Sequence, residues 1–226
     1  FIGSYAFYLF GSPFFWITTI LPRSWVTFSI PILLCIKHGV AALTAYAYIR
    51  RFVQNSNAAI VGGLLYAFSG FQLFNLFFNH FQDVTAFFPL LLIAMEECVN
   101  RNRRGVFALA VALLATLNYF FFTGQVVFLV LYFIVRCFSR DFHASLRKFF
   151  VLLFEAILGV AIACAVLLPA ALAVFANDRV SEHLYGMDMM AYSDRTRIWR
   201  ILLSLFLIPD VPARPNLFSS NAAKWA

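Results

Sequence analysis

Three observations predict an all-α, polytopic transmembrane helix bundle with interfacial helices near both ends of the chain. Hydrophobic residues make up 63% of the 226 residues and charged residues only 12%, against roughly 45–50% and about a quarter in soluble domains. The apolar residues fall in runs close to the ~20 needed to cross a hydrocarbon core about 30 Å thick. The basic residues lie in short clusters between those runs, as loop charges do in membrane proteins. Residues 1–226 therefore read as part of one transmembrane domain, embedded in a lipid bilayer.

Residues 1–26 are aromatic and nearly uncharged, with Gly3, Gly11, Pro13 and Pro22 breaking any long helix. That composition suits an interfacial segment at the headgroup level. The first span covers about 27–49 and is closed by Arg50 and Arg51. The second covers about 58–78, and its Gly62-Gly63 and Ser69-Gly70 pairs would let neighbouring helices approach closely. After a polar tip at 79–83, the third covers about 84–99 and ends at Glu96 and Glu97. Residues 105–138 are too long for one crossing, since a single helix would measure about 50 Å. The polar break at 118–125 divides the stretch into two short helices, about 105–117 and 124–138. Their turn lies inside the membrane, where irregular backbone needs protein or a wet cavity around it. The last span covers about 149–175, with Glu155 near its start and Pro169 near its end. Residues 176–226 form an outer segment with one interfacial helix, IWRILLSLFLIP.

Charge sets the orientation. Arg50 and Arg51 form one basic cluster, and Arg101, Arg103 and Arg104 a second. Arg136, Arg140, Arg147 and Lys148 form the third. Alternating spans bring all three to one side only if 105–138 crosses twice. The positive-inside rule makes that side cytoplasmic. The segment 1–26, the tip at 79–83, the turn at 118–125 and the tail 176–226 then face outward. The net charge of +7 is accounted for by these loops, so nucleic acid is not an expected partner. Cys35, Cys98, Cys137 and Cys164 form no CxxC pair and read as small apolar residues. No signal-peptide pattern is visible. The chain starts at Phe1 and ends at Lys224-Trp225-Ala226, and both ends read as cut from a longer protein.

A few polar residues stand out against this background. Lys37 and His38 lie near the middle of the first span, with Lys37 about 20 Å from Arg50 along the axis and out of easy snorkelling reach. An ionisable group at that depth faces a bundle interior or a water-filled cavity. It serves either as an ammonium for a phosphate or carboxylate ligand, or as half of a structural pair. His80 and Asp83 lie on the outward tip. Asp83 is either the cap of the third span or a carboxylate acting as general base or metal ligand. Two potential ligands do not make a metal site. Asn118, Tyr119 and Gln125 flank the deep turn, where they either satisfy broken helix ends or line a substrate cavity. In the outer tail, Arg195 and Arg197 belong to the run SDRTRIWR, which is either solvated or in contact with an anionic substrate or lipid phosphates. Glu155 reads as structural. A Gly-rich phosphate loop, a serine-hydrolase elbow and an HExxH motif are all missing from the sequence.

Three stretches resemble the YfhO family of bacterial membrane proteins. LCIKHGVAALTAYAYIRR is similar to the family's LKIGLAGLTFYLYLK and aligns Lys37 with its lysine. LLYAFSGFQLFNLFFNHFQDVTAFFPLLLIAMEECVNRN resembles its YALSGF helix, its outward Asp and its LPLILLGIE run, through Tyr66, Phe71, Asp83, Pro89 and Glu96. LLATLNYFFFTGQVVFLVLYFIVR resembles its SNFYFGYM turn, with Asn118, Tyr119, Phe120 and Gly124 in place. The likeness spans roughly residues 5–140. His38 departs from the usual apolar residue, and His80 and Gln82 depart from a common Trp-Leu.

The resemblance implies a GT-C-like membrane glycosyltransferase in the bacterial cytoplasmic (inner) membrane. Such an enzyme takes a sugar from a polyprenyl-phosphate donor and gives it to a cell-envelope acceptor on the extracytoplasmic face. Some members are linked to teichoic acid glycosylation. In that class the catalytic acid usually lies in a first outer loop, which would fall mostly upstream of Phe1. Within this chain the catalytic candidates are Asp83 and His80. The substrate-binding candidates are Lys37, His38, Asn118, Tyr119, Gln125, Arg195 and Arg197. No cofactor is assigned, and a divalent metal is left open. A deep lysine and a broken hairpin also suit a transporter or lipid-linked sugar flippase, and a non-catalytic membrane scaffold is the third reading.

Overall fold

The computed structural model describes residues 10–175, and the regular structure among them is helical. In chain order the helices are α1 (Pro13–Ile20), α2 (Arg23–Ile49), α3 (Ser56–Ala67) and α4 (Gly70–Phe74). A 3₁₀ turn (Asn75–Phe77) leads into α5 (Asn79–Arg101), followed by α6 (Val106–Leu117), α7 (Tyr119–Cys137) and α8 (Leu146–Phe175). Arg195, Arg197 and the interfacial helix expected in the tail lie outside the described residues.

Several helix starts follow from local chemistry. Ser12 caps α1 by accepting from the Phe15 amide, with Pro13 at the first helical position. Asn55 accepts from the Asn57 and Ala58 amides and starts α3. Asn118 accepts from the Phe120 and Phe121 amides and starts α7. Asn118 itself is extended, with φ −161° and ψ 105°. One residue therefore breaks the 105–138 stretch, where the sequence suggested a break across 118–125. The cap takes over two amides that a broken helix would otherwise leave bare, and Gly124 falls inside α7.

The second apolar run is also divided. α3 ends at Ala67, and the chain restarts at Gly70 after Phe68 and Ser69. The Gly62-Gly63 pair does sit at a close approach. A Cβ on Gly63 would lie 2.7 Å from the Ala42 carbonyl oxygen, so α3 rests directly on α2. Gly70 has open space around it and marks the break instead. The third run starts earlier than 84, because the tip residues 79–83 are already helical in α5.

Among the described residues, three helices are long and apolar enough to cross a membrane: Arg23–Ile49, Tyr119–Cys137 and Leu146–Ala173. Their exposed faces carry Leu43, Val127, Leu131, Val135, Phe154 and Ile157, the lipid-facing counterpart of a soluble protein's polar surface. α5 differs from them. Thirteen of its 23 residues are buried, including Gln82, Asp83, Glu96 and Glu97. It is the central post of the bundle, packed by α2 on one side and α6 on the other.

The core lies around the second half of α5. Leu91, Leu92, Met95 and Val99 pack with Phe107, Val111, Leu114 and Leu117 of α6, Leu129 of α7 and Leu152 of α8. A second junction of small residues, Ala41, Ala67 and Ala86, lets α2, α3 and α5 meet closely. Pro89 lies inside α5 and has no amide for the Thr85 carbonyl one turn back. The Tyr66 hydroxyl donates to that carbonyl at 2.8 Å, and the Thr44 hydroxyl donates to Ala86 O at 2.8 Å. Side chains from α3 and α2 thus satisfy the backbone that the proline disturbs, as a helix in an apolar solvent requires.

Helix directions follow from side-chain pairs. Phe81 meets Phe121, Phe88 meets Phe128, and Glu96 meets Tyr132 and Arg136. α7 therefore runs alongside α5 in the same sense, and α6 runs between them in the opposite sense. The 105–138 stretch is a hairpin, and it returns Arg136 to the end where α5 delivers Glu96. The reversal between α5 and α6 is tight, with Asn102 at φ 52° and Gly105 at φ 80°. Gly105 stands at the N-cap of α6 and has no side chain to cap it. Glu155 of α8 supplies the missing acceptors, with Oε1 3.0 Å from Gly105 N and Oε2 3.3 Å from Ala108 N. The structural role expected of Glu155 is thus to cap α6 from a different helix.

Candidate functional site

α5 carries a polar cluster at each end, about 20 Å apart by helical rise. At its N-terminal end Asp83 is buried, and Lys37 of α2 reaches it with Nζ 2.6 Å from Oδ1. The Lys37 ammonium also donates to Asn79 O at 2.9 Å and to Asn79 Oδ1 at 2.7 Å. The ammonium thus has an ion-pair partner in Asp83 and two hydrogen-bond acceptors on Asn79. All three come from the first turns of α5. Residues that look unrelated in sequence are thus tied into one bond set between two helices. Asp83 lies inside the helix, and the N-cap position belongs to Phe78.

The start of α1 and the residues just before it cover this pair. The Ser12 hydroxyl hydrogen-bonds the Asp83 carboxylate and is itself buried. The Phe14 ring lies under the ammonium, 5.3 Å from centroid to Nζ. Gly11 sits against the end of α6 so closely that a Cβ there would fall 2.9 Å from Leu117 N and even nearer the Thr116 carbonyl. Residues 10–14 therefore form a strap held by a wedge, a hydrogen bond and a cation–π contact.

His80 stands beside this cluster, in range of the charges of both Asp83 and Lys37. Its ring meets Phe81 edge-on at 4.4 Å. Asn118 and Gln125 are buried on the hairpin, with Asn118 Nδ2 and Gln125 Oε1 bonded to no protein atom. Gln72 Oε1 and Gln82 Oε1 are in the same position. Gln82 Nε2 donates to Gln72 O at 2.8 Å, and Gln72 donates to the Thr85 hydroxyl. Tyr119 is half-buried at the start of α7. His38 is turned away, stacked on Phe68 at 5.4 Å with Nδ1 2.9 Å from Leu34 O. The structure therefore joins Lys37, Asp83 and His80 in one cluster and places His38 on another face. Ser12, Asn79, Gln72 and Gln82 belong with the site, and sequence reasoning did not select them. A run of polar residues in an aromatic segment was the available signal. Among the described residues, no three His, Cys, Asp or Glu side chains gather to hold a metal ion.

The other end of α5 is an arginine cluster. Glu97 takes Arg51, with Arg101 Nη1 3.3 Å from its Oε1 and Arg103 Nε 3.3 Å from its Oε2. Glu96 accepts from Arg136 through Nε at 2.7 Å and Nη2 at 3.2 Å. Glu96 also accepts from the Tyr132 hydroxyl at 2.6 Å, and Tyr132 accepts from Tyr48 at 3.0 Å. All three basic clusters of the sequence are represented at this end, since Arg147 and Lys148 precede Glu155 on α8.

A bundle of apolar helices whose buried charges, among the described residues, gather at the two ends of its central helix and at Glu155 of α8 defines a multi-pass membrane protein. The chain belongs to the YfhO family: the family described as "Bacterial membrane protein YfhO" matches residues 1–196. No curated protein and no solved structure matches the chain.

Proposed function

We propose that the protein is a GT-C-like glycosyltransferase of the bacterial cytoplasmic (inner) membrane. It moves a sugar from a polyprenyl-phosphate donor to a cell-envelope acceptor, of the teichoic acid class, on the extracytoplasmic face. The observation that carries this reading is the buried pair of Lys37 and Asp83, with His80 beside it, at the end of α5 opposite the arginines. By the positive-inside rule that end faces outward. In the transfer step, an acceptor hydroxyl oxygen attacks the anomeric carbon and the bond from that carbon to the phosphate oxygen breaks. Asp83 takes the hydroxyl proton, with His80 next in line to receive it. Lys37 offsets the charge on the departing phosphate. Asn118, Tyr119 and Gln125 offer polar contacts to the sugar along the hairpin, and His38, Arg195 and Arg197 complete the candidate set. Substrate reaches Asp83 only when the strap at 10–14 has moved off it.

A second reading has its own support. The Lys37 ammonium is already engaged by Asp83 and Asn79, which favours a non-catalytic scaffold in which the pair only joins α2 to α5. One experiment separates the two. Lys37→Met and Asp83→Asn are made singly and together, and protein abundance and transfer of labelled sugar to envelope polymer are measured in cells. The glycosyltransferase reading expects the double variant to regain normal abundance while transfer falls at least a hundredfold. Normal abundance with full transfer removes both residues from the mechanism.

A further inference from the structure

The end of the bundle away from Lys37 holds a pocket of about 600 Å³, lined by Arg50, Arg51, Phe52, Glu96, Arg101 and Arg136 among others. We infer that it is a binding site for the phosphate headgroup of an anionic membrane lipid.

Four observations lead there. First, the cations converge from three elements far apart in sequence: the end of α2, the end of α5 and the end of α7. Second, they outnumber the anions around them. Five arginines (Arg50, Arg51, Arg101, Arg103 and Arg136) face three carboxylates (Glu96, Glu97 and Asp141), which leaves two positive charges uncompensated. Third, the guanidinium groups are held in place but not used up. A guanidinium carries five N–H donors. Arg136 spends two of its nitrogens on Glu96, Arg50 spends one on the Val53 and Gln54 carbonyls, and Arg51 and Arg101 each spend one on Glu97. Buried Glu96 and Glu97 thus fix the arginines without exhausting them, and planar guanidinium forks suit phosphate oxygens.

The fourth observation selects a lipid over a soluble phosphate. One wall of the pocket is apolar, made by Ala47 and by Phe52, which stacks on the Arg136 guanidinium at 4.9 Å. Ala47 is exposed and follows Ile36 and Leu43 at helical spacing on the exposed apolar face of α2, where Leu43 is 65% open. A headgroup in the pocket would leave its acyl chains running along that stripe. Basic pockets between spans at one membrane surface are suited to anionic headgroups for this reason.

The test uses the full chain purified in a neutral detergent. Its melting temperature is measured with added phosphatidylglycerol, with phosphatidylcholine, and with soluble glycerol phosphate at the same concentration. Phosphatidylglycerol is expected to raise the melting temperature, and the other two to leave it unchanged. Arg50→Gln with Arg101→Gln should weaken the phosphatidylglycerol effect roughly tenfold in concentration. Arg140→Gln with Arg147→Gln removes the same charge from exposed positions outside the pocket and should leave the effect intact. An equal rise with phosphatidylcholine, or equal sensitivity of the two double variants, overturns the site. An equal rise with glycerol phosphate overturns the lipid and assigns the pocket to a soluble phosphate.

Discussion

The two ends of α5 solve the same problem differently. At the N-terminal end one cation meets one anion, and both are sealed, with 4% and 2% of their side-chain surface open. At the C-terminal end two buried glutamates are shared among four arginines, whose side chains range from 13% to 63% open. The first arrangement has no spare counter-charge, since losing one member leaves Lys37 only the neutral Asn79 acceptors, or Asp83 the neutral Ser12 donor and the nearby His80. The second is redundant, because each glutamate keeps other donors when one is lost. A buried pair without redundancy is weak evidence for stability, since its desolvation offsets much of its attraction. It makes sense as a positioned charge, while the arginine end makes sense as a membrane-surface anchor that also holds a ligand.

The contrast can be broken most sharply at Asp83. Asp83→Ala leaves the Lys37 ammonium buried without its counter-charge, and should cost about 3–5 kcal/mol, read from denaturant unfolding in micelles. Lys37→Met combined with Asp83→Leu removes both charges and should recover most of that loss. A double variant as unstable as the single one would show that the pair itself stabilises the fold. Arg136→Gln tests the redundant end. Glu96 loses two charge-assisted bonds but keeps Tyr132 and Asn100 as donors, so a loss of about 1–3 kcal/mol is expected. Arg101→Gln should have the smallest effect, under about 1 kcal/mol, because its partner Glu97 retains Arg51 and Arg103 and the side chain is 63% open. An Arg101→Gln loss as large as that of Asp83→Ala would erase the distinction between the ends.

Part of this arrangement is legible in the sequence. The length of 105–138 and the spread of arginines together required a hairpin, because bilayer thickness and charge are one-dimensional constraints that a sequence records directly. Lys37 stands out as an ionisable residue in an apolar run and Asp83 as the acid of the polar tip at 79–83, and the family likeness marks both. Their pairing was not readable, because it depends on how α2 packs against the start of α5. The same holds for Tyr66. Nothing local says that its hydroxyl meets the carbonyl freed by Pro89, since proline reveals which backbone group is disturbed but not which side chain repairs it. The break at Asn118 is one residue wide, where the polar run 118–125 suggests a longer one, because one side chain capping two amides does the work of a loop. Ser12 was passed over within an aromatic segment whose composition spoke only of the membrane surface.

The cap that Glu155 lends to α6 has a consequence for how the chain is made. α6 is only 12 residues long, about 18 Å by helical rise, and Gly105 gives its first amides no side chain to bond. Those amides find their acceptors only when α8 has left the ribosome. A nascent chain ending before Glu155 lacks both acceptors, so α6 gains this cap only once α8 has been made and docked, and a later helix completes an earlier one.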